Sequence, residues 1–326
     1  MPEKTIKLKH GDGGTPMSDL ISGIRQSLEF TGDWKGTLDD GAYLKAGDKY
    51  LVFTSDSYIQ SPYFFPGGNI GKLAVTGTVN DLVVMGAEPL ALTLSIIIEE
   101  GFKKEHLETI IDSVNTLSKK LKVPIVTGDT KVMPKGQLDG IVINTAGIGT
   151  TKDIIRNENI APTDKVIVTG TIGDHGGAVL ATRFDYRTDL ISDCRPVLDI
   201  MQLLKGKIKS AKDPTRGGIA SCLNELADKA KVKITIDEET IPIRKETRAI
   251  CNILGIDPLT LACEGRALLI VSEDDEKEVL ELLKKDLCPD AITIGTVSEG
   301  KKVILKTKIG ERFLDNPGGT GVPRIC

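Results

Sequence analysis

The chain has 326 residues, of which 40% are hydrophobic, 27% are charged and 4% are aromatic. Two domains are expected at this length, with cores built from aliphatic side chains. The formal net charge is −4, from 42 basic and 46 acidic residues. Because neither sign is clustered, a surface for nucleic acid or an anionic membrane is not expected.

The sequence also argues against export and membrane insertion. No apolar run follows the charged amino terminus, so no secretory signal is expected. The most apolar window, 90–98, has nine residues, whereas a membrane span needs about 20. The six cysteines form no C-x-x-C pair and the chain has three histidines, so a zinc site is not expected. These features favour a cytoplasmic protein with reduced thiols.

Hydrophobic periodicity divides the first half of the chain into an extension and a domain. Residues 1–37 form an extension with a glycine-rich loop and one helix at 18–30. The domain at 38–150 mixes strands and helices without a strict βαβ rhythm. Its predicted elements are a strand at 50–54, a helix at 71–85, a strand at 90–99, a helix at 103–121, and strands at 123–127 and 138–149.

A polar linker at 150–163 precedes a second α+β domain, which we place at 160–310. Its predicted elements are a strand at 165–169, a helix at 219–229, a strand at 232–236, a helix at 247–254, a strand at 267–271, a helix at 276–287, and an edge pair of strands at 292–296 and 303–306 joined at Gly300. The pattern stops after Phe313, and 311–326, rich in glycine and proline, is predicted to be a flexible tail.

Four acidic residues of the first domain are candidate ligands: Asp40, Asp56 and Asp129 lie at turns or strand ends, and Asp81 lies inside the predicted helix at 71–85. Carboxylates that converge from separate elements suit Mg²⁺, which takes oxygen ligands and shares them with phosphates. Each could instead cap a helix or satisfy a turn. Asp81 differs because it lies among apolar residues, where a buried charge needs a partner.

Glycine-rich loops at 11–14, 67–71 and 173–177 could hold phosphate oxygens through their backbone N–H groups. The second loop is not a Walker A motif, because its glycines are too closely spaced and Leu73 follows Lys72. Lys72 is either a phosphate-binding charge or a solvated lysine. His10 and His175 either contact a ligand or make local turn hydrogen bonds, and His106 is expected on the surface.

Spaced motifs along the whole chain resemble those of the aminoimidazole ribonucleotide synthetase superfamily, which has a PurM-like fold. Within it the chain resembles the HypE family of hydrogenase maturation factors. The matching stretches include Thr54-Ser-Asp56, Phe64-Phe-Pro-Gly-Gly-Asn-Ile-Gly-Lys72, Val79-Asn-Asp-Leu-Val-Val-Met-Gly-Ala87, Val126-Thr-Gly-Asp-Thr-Lys-Val132, Ile143-Asn-Thr-Ala-Gly147, Asp213-Pro-Thr-Arg-Gly-Gly218 and Pro323-Arg-Ile-Cys326.

The resemblance implies a homodimer of two-domain α+β subunits that bind ATP and Mg²⁺ beside the amino-terminal domain. It places the metal ligands at Asp40, Asp56, Asp81 and Asp129. Lys72, His10 and Asn144 are further candidate contacts to the nucleotide. Lys131 and Glu264 match the residues that remove protons from the reacting amide, and Cys326 matches the carrier thiol.

The implied function is a step of [NiFe]-hydrogenase maturation. A HypF-like carbamoyltransferase loads a carbamoyl group onto Cys326. The chain then acts as an ATP-dependent carbamoyl dehydratase and forms a thiocyanate. The cyanide passes to iron in a HypC–HypD-like complex.

This chemistry is reasonable for the residues themselves. An amide oxygen is a poor leaving group until it is phosphorylated, and a base must then take the N–H protons. Glu264 follows apolar residues, and burial would raise the pKa of its carboxyl into a suitable range. A surface loop would instead leave Glu264 and Lys131 as ordinary exposed charges.

Two other functions fit part of the pattern. A nucleotide-gated carrier would use Cys326 without needing Lys131 or Glu264 as proton acceptors. Selenophosphate synthesis is a third possibility, but no cysteine precedes Cys194 to supply an N-terminal catalytic thiol. The tail of about 14 residues spans at most roughly 45–50 Å when extended, enough to link a partner's active site with this one.

Overall fold

The computed structural model describes residues 5–29, 32–36, 39–318 and 325. The amino-terminal half contains three α-helices and seven strands in its described residues. They are α1 (Thr15–Gln26), β1 (Ala42–Ala46), β2 (Lys49–Tyr58), β3 (Phe64–Phe65), β4 (Gly68–Asn69), α2 (Ile70–Val84), β5 (Glu88–Glu99), α3 (Lys104–Leu121), β6 (Ile125–Met133) and β7 (Ile141–Thr151).

The carboxyl-terminal half follows with five α-helices and seven strands in its described residues. They are β8 (Lys165–Val168), α4 (Asp174–Arg183), α5 (Leu198–Leu203), β9 (Ile208–Lys212), α6 (Gly218–Ala230), β10 (Val232–Asp237), α7 (Lys245–Leu254), β11 (Leu268–Val271), α8 (Glu276–Asp286), β12 (Ile292–Glu299), β13 (Lys302–Thr307) and β14 (Gly310–Phe313). Among the described residues, no helix combines the length and apolar character needed to cross a bilayer.

The first half is organised by a five-stranded sheet in the order β1-β2-β7-β5-β6. Its pairs are antiparallel except β5–β6, which is parallel. Helix α2 packs on β2 and β7 and is itself covered by α3. Almost all of α2 is buried, which explains why small residues fill it. A Cβ on Gly71 would lie 2.4 Å from the Ile110 carbonyl oxygen, so glycine allows α3 to approach.

The second half is organised by a seven-stranded sheet in the order β14-β13-β10-β12-β8-β11-β9. The predicted edge pair at 292–296 and 303–306 is wrong, because β10 lies between β12 and β13. Strand β10 pairs antiparallel with β12 and parallel with β13. Turn residues such as Gly300 suggested a hairpin, but β13 gains a partner that is about 70 residues earlier in the chain.

Several elements are absent from the sequence-based prediction. The sequence pattern predicts no regular element at strands β1, β9 and β14 or at helices α4 and α5. The predicted phosphate loop at 173–177 is instead the start of α4, with Gly173 in the left-handed conformation at its N-cap. Two consecutive glycines disfavour a helix locally, but they allow close packing, since a Cβ on Gly176 would lie 3.1 Å from Leu261 Cβ.

The chain remains ordered beyond the boundary that we predicted at residue 310. Strand β14 continues to Phe313, and Leu314 is buried with its backbone N–H bonded to the Val303 carbonyl. The Pro317 carbonyl accepts a 3.0 Å hydrogen bond from the Thr15 backbone N–H. The start of the predicted tail therefore packs against the amino-terminal extension, and Ile325 is buried as well.

Candidate active site

Strand β2 brings polar side chains to the face of the sheet that α2 covers. Val52, Thr54, Asp56 and Tyr58 alternate with more exposed residues along this strand, as expected for the two-residue period of a strand. The Thr54 Oγ1 atom lies 2.7 Å from the Oδ2 atom of Asp81 on α2. Asp56 and Asp81 therefore meet between the strand and the helix.

Three carboxylates from separate elements form the centre of the candidate site. Oxygen atoms of Asp40, Asp81 and Asp213 all lie within 4.8 Å of one another. Asp40 precedes β1, Asp81 lies near the end of α2, and Asp213 directly follows β9. The cluster is therefore built by both halves of the chain.

The electrostatics of the cluster indicate a cation site. Burial and the nearby Asp56, Asp213 and Asp40 raise the pKa of Asp81 well above its usual value. Burial, Asp40 and Asp56 raise the pKa of Asp213 to about 8. Its Oδ2 atom is buried without a hydrogen-bond partner among the described residues. The positive charge of Mg²⁺ would offset the repulsion between these carboxylates and lower their pKa values, so the crowded oxygen atoms fit this cation.

A buried lysine supports one side of the cluster. Lys212 Nζ lies 2.8 Å from Asp40 Oδ1 and 2.8 Å from Glu225 Oε2. Burial alone would lower the pKa of this lysine, but Asp40 and Glu225 raise it well above its usual value. Lys212 therefore stays charged and compensates part of the negative charge.

Glu264 lies beside the cluster with its carboxylate buried. Neither oxygen has a hydrogen-bond partner among the described residues. Burial and the carboxylates of Asp213, Asp193 and Asp56 raise its pKa well above the usual value, against an opposing effect of Arg216. The expected perturbed carboxyl is therefore present, and a loop exposed to solvent does not describe this position.

A cavity of about 40 Å³ lies against these groups. It has room for a few waters or for a small planar group. Its lining includes Asp56, Tyr58, Asp213, Arg216 and Glu264. Carboxylates for a cation and a carboxyl without a partner thus face the same small space.

Asp129, Lys131 and Asn144 lie elsewhere in this single chain. Asn144 pairs with Ser57 and with Ser95, and Ser95 pairs with Asp129. Directly opposed residues share a face of a sheet, and this row faces away from α2. The chain by itself therefore does not bring Lys131 to Glu264 or Asp129 to the acidic cluster.

Asp129 and Lys131 form an exposed pair. Lys131 Nζ lies 2.8 Å from Asp129 Oδ2, and their side chains are 67% and 59% exposed. The hydrogen bond from Lys131 lowers the pKa of Asp129. Asp129 and Lys131 can have their predicted roles only if another molecule packs against this face of the sheet.

Lys72 and His10 make local contacts. Lys72 lies in the first turn of α2, where its Nζ donates to the Gly67 carbonyl at 2.8 Å. His10 Nδ1 accepts a 2.8 Å hydrogen bond from the Lys7 backbone N–H. The neighbouring glycine loop lies on the loop after β9, since a Cβ on Gly13 would be 2.9 Å from the Arg216 carbonyl carbon. The binding roles of both residues stay predictions.

The remaining predicted positions have separate outcomes. His106 is half-buried rather than on the surface, because its Nδ1 lies 3.1 Å from Tyr63 Oη within an aromatic cluster. Cys326 lies outside the described residues.

Asp213 and Lys212 were not predicted, although Asp213 begins one of the matching motifs. A strand predicted directly before Asp213 would have been the signal that identifies Lys212 and Asp213 from the sequence.

Models of protein families match both halves of the chain. The AIR synthase related protein N-terminal domain matches residues 38–151, and the corresponding C-terminal domain matches 161–308. A putative hydrogenase expression/formation protein from Methanocaldococcus jannaschii is 47% identical over 98% of this chain and 99% of its own length. The carbamoyl dehydratase HypE of Rhizobium leguminosarum bv. viciae is 43% identical over 98% and 95%.

Solved structures agree with these matches. A HypE chain in a HypE–HypF complex is 40% identical, with a TM-score of 0.85 over 91% of this chain and 99% of that one. A HypE structure in complex with ATP is 34% identical, with a TM-score of 0.82 over 99% and 100%. The two-domain α+β, PurM-like fold predicted from the motifs is thereby confirmed. The chain belongs to the HypE family of hydrogenase maturation proteins, within the AIR synthase related proteins.

Proposed function

We propose that this chain dehydrates an S-carbamoyl group on Cys326 to a thiocyanate, with ATP as the co-substrate. The observation that carries the proposal is the buried Glu264 carboxylate, which lacks a partner among the described residues and lies beside crowded carboxylates. The family to which the chain belongs, and the ATP complex of a relative, support ATP as the co-substrate.

The reaction balances as an elimination. The carbamoyl carbon–oxygen bond breaks, and the oxygen leaves as phosphate derived from ATP. Two N–H protons are lost while the C≡N bond forms, and the carbon–sulfur bond to Cys326 is kept. The products are the thiocyanate, ADP, phosphate and protons. Its hard step is expulsion of the oxygen, which phosphorylation makes favourable.

Asp40, Asp56, Asp81 and Asp213 would hold Mg²⁺, with Asp213 in place of the exposed Asp129 in this single chain. When bound, the metal supplies positive charge that stabilises the transferring phosphoryl group. Thr54 orients Asp81 through a 2.7 Å hydrogen bond. Lys212 holds Asp40 from its other side.

Glu264 is proposed to accept an N–H proton from the carbamoyl group. Burial makes its carboxylate a stronger base once it is ionised. Arg216 lines the same cavity and favours the ionised form of Glu264. The backbone of Glu264 is held at both ends, since its N–H bonds Asp193 Oδ1 and its carbonyl accepts from the Arg195 N–H, both at 3.2 Å.

Lys131 is proposed to act from a second copy of the chain. Strand β6 is an edge strand of its sheet and exposes Val126 and Val132 at 61% and 68%. A groove of about 920 Å³ beside β6 is lined by residues that include Leu107, Ile111 and Ile125. An exposed edge strand with an apolar groove supports pairing with another copy. Asp129 and Lys131 lie on this edge strand, so pairing along its edge would bring a second copy next to them.

The proposed partners follow from the same reaction. A HypF-like carbamoyltransferase would supply the carbamoyl group, as a HypE–HypF complex of a relative suggests. A HypC–HypD-like complex would receive the cyanide on iron. A cytoplasmic location remains a prediction.

Titration calorimetry with ATP, in Mg²⁺ and in EDTA, tests the nucleotide site. Wild-type protein should bind tightly only with Mg²⁺, and Asp81→Asn should lose most of that binding because an anionic ligand is removed. Asp48→Asn, in the exposed β1–β2 turn, is the matched control. Wild-type affinity in Asp81→Asn would remove the acidic cluster from nucleotide binding.

A further inference from the structure

A buried histidine outside the acidic cluster contacts the end of the chain. His175 lies in the first turn of α4 and is fully buried. Its Nε2 atom lies 2.8 Å from the Ile325 carbonyl oxygen, and its Nδ1 atom lies 2.8 Å from Ser192 Oγ. The Phe65 ring meets the imidazole edge to face, with centroids 5.0 Å apart. The imidazole therefore joins three distant parts of the chain.

The directions of these hydrogen bonds define the tautomer. A carbonyl oxygen only accepts, so the proton lies on Nε2 and is donated to Ile325. Nδ1 then accepts from the Ser192 hydroxyl, whose oxygen accepts from the Cys194 N–H at 3.1 Å. Burial lowers the pKa of His175 to about 4, against the opposing effect of the Ile325 carbonyl. The neutral ring that this arrangement needs is therefore the stable form.

The side chain of Ile325 is anchored as well. It is 7% exposed and belongs to the apolar cluster that contains Tyr58, Ala262 and Cys194. Tyr58 lines the cavity beside Glu264, and Ala262 is two residues before that carboxylate. The anchor of the chain end and the wall of the candidate active site thus share one core.

A short segment connects the two places. Ser192 bonds His175, whereas the next residue, Asp193, accepts from the Glu264 N–H, and Arg195 donates to the Glu264 carbonyl. Residues 192–195 therefore contact the anchor at one end and the backbone of the proposed base at the other. Movement of the anchor would therefore shift the groups that hold the backbone of Glu264.

We propose that His175, oriented by Ser192, is the receptor for the backbone of the chain end at Ile325 and restricts the movement of the carrier thiol relative to Glu264. The inference deepens the proposed function and rests on it for its catalytic meaning. Consecutive Cα atoms lie about 3.8 Å apart, so an anchored Ile325 limits how far the next residue can move. His175 acts here as a positioning residue.

The receptor recognises features that a carried group does not change. It bonds a main-chain carbonyl and buries an isoleucine side chain, neither of which is altered when the thiol is modified. The same receptor can therefore hold the chain end before and after loading. At Ile325, release to a partner would break this buried hydrogen bond and expose this aliphatic side chain.

Trypsin cleavage after Arg324 measures the anchor directly, because it releases the Ile325–Cys326 dipeptide and changes the intact mass. Two variants separate the roles of the ring nitrogens. In His175→Gln the amide nitrogen can replace Nε2 and still donate to Ile325. In His175→Asn the shorter amide can replace only Nδ1. Loss of the bond should speed release about tenfold in His175→Asn, whereas His175→Gln should stay within about twofold of wild type.

The controls distinguish an anchor from general packing. His106→Gln alters a half-buried histidine whose ring contacts are Tyr63, Phe64 and Phe102, and it should leave release unchanged. Wild-type release from His175→Asn, or equally fast release from both His175 variants, would overturn the proposal. If His175→Asn does not fold, Ser192→Ala takes its place and should speed release severalfold, because it removes the hydroxyl that orients the ring; unchanged release would again overturn it.

The cleavage assay needs neither ATP nor a carbamoyl group, so it is independent of the proposed reaction. A second measurement links the anchoring of the chain end to the proposed dehydration. In single-turnover mass spectrometry of loaded protein, His175→Asn should form thiocyanate about tenfold more slowly, with Mg–ATP affinity unchanged. Anchoring without any dehydration in wild type would contradict the proposed function and leave the receptor intact.

Discussion

Replacing Asp213 with asparagine should stabilise the metal-free protein. Burial, together with the charges of the nearby Asp40 and Asp56, raises the pKa of Asp213 to about 8. An amide of the same size carries no charge and can donate hydrogen bonds to the remaining carboxylates. Asp213→Asn therefore removes an unfavourable charge while it keeps the packing.

The pKa gives the size and sign of the effect. A raised folded-state pKa means that the folded chain holds the Asp213 proton more tightly than the unfolded chain, whose value is 3.8. Its cost to stability begins near pH 3.8, grows by about 1.4 kcal/mol per pH unit, and levels off above pH 8. The cost is on the order of 1–2 kcal/mol at pH 5 and up to about 4 kcal/mol at pH 7.

Urea denaturation in EDTA at pH 5 and pH 7 measures this difference. Asp213→Asn should exceed wild type in free energy of unfolding, and the gap should widen as the pH rises. Addition of Mg²⁺ should stabilise wild type more than the variant, which lacks a ligand. Asp48→Asn serves as an exposed control and should show no such trend. Equal or lower stability of Asp213→Asn at pH 7 would refute the claim that a charge on Asp213 destabilises the metal-free protein.

Three further predictions concern the reaction. Glu264→Gln should bind Mg–ATP and accept the carbamoyl group, yet slow thiocyanate formation by about 10²- to 10⁴-fold in single-turnover mass spectrometry; a near-normal rate would exclude Glu264 as the base. If Lys131 acts across two copies, mixing inactive Lys131→Ala with inactive Glu264→Gln should restore about a quarter of the sites in exchanging dimers, whereas no recovery would place both residues in one subunit. Cys326→Ala should not be carbamoylated by a HypF-like enzyme while its circular dichroism and ATP binding stay normal, and a loaded variant would disprove the carrier assignment.

Local patterns predicted most of the amino-terminal domain. The apolar stripe of α3 and the small-residue content of α2 are properties of short windows, so both helices were expected nearly in place. Strand β9 and helix α4 were missed for the opposite reason. Strand β9 is short and contains two lysines, and α4 begins with glycines. Their conformations depend on burial against distant segments such as the one around Leu261.

The candidate site was predictable in composition more than in arrangement. Asp40, Asp56 and Asp81 were expected to converge, and the structure brings them together. Sequence alone did not show that Asp213 would join them, because that contact crosses between the two halves. Nor did it show on which face of the sheet Lys131 lies. That depends on the register of β5, β6 and β7, and a shift of one residue would reverse it.

The central claim is that the chain itself removes water from a carbamoyl group on Cys326. Intact mass spectrometry of carbamoylated protein, before and after one turnover with Mg–ATP, tests it most directly. We predict that the protein loses the mass of one water while one ADP and one phosphate are released per chain. Unchanged mass, with the carbamoyl group still transferable to a partner, would contradict dehydration and identify the chain as a nucleotide-gated carrier.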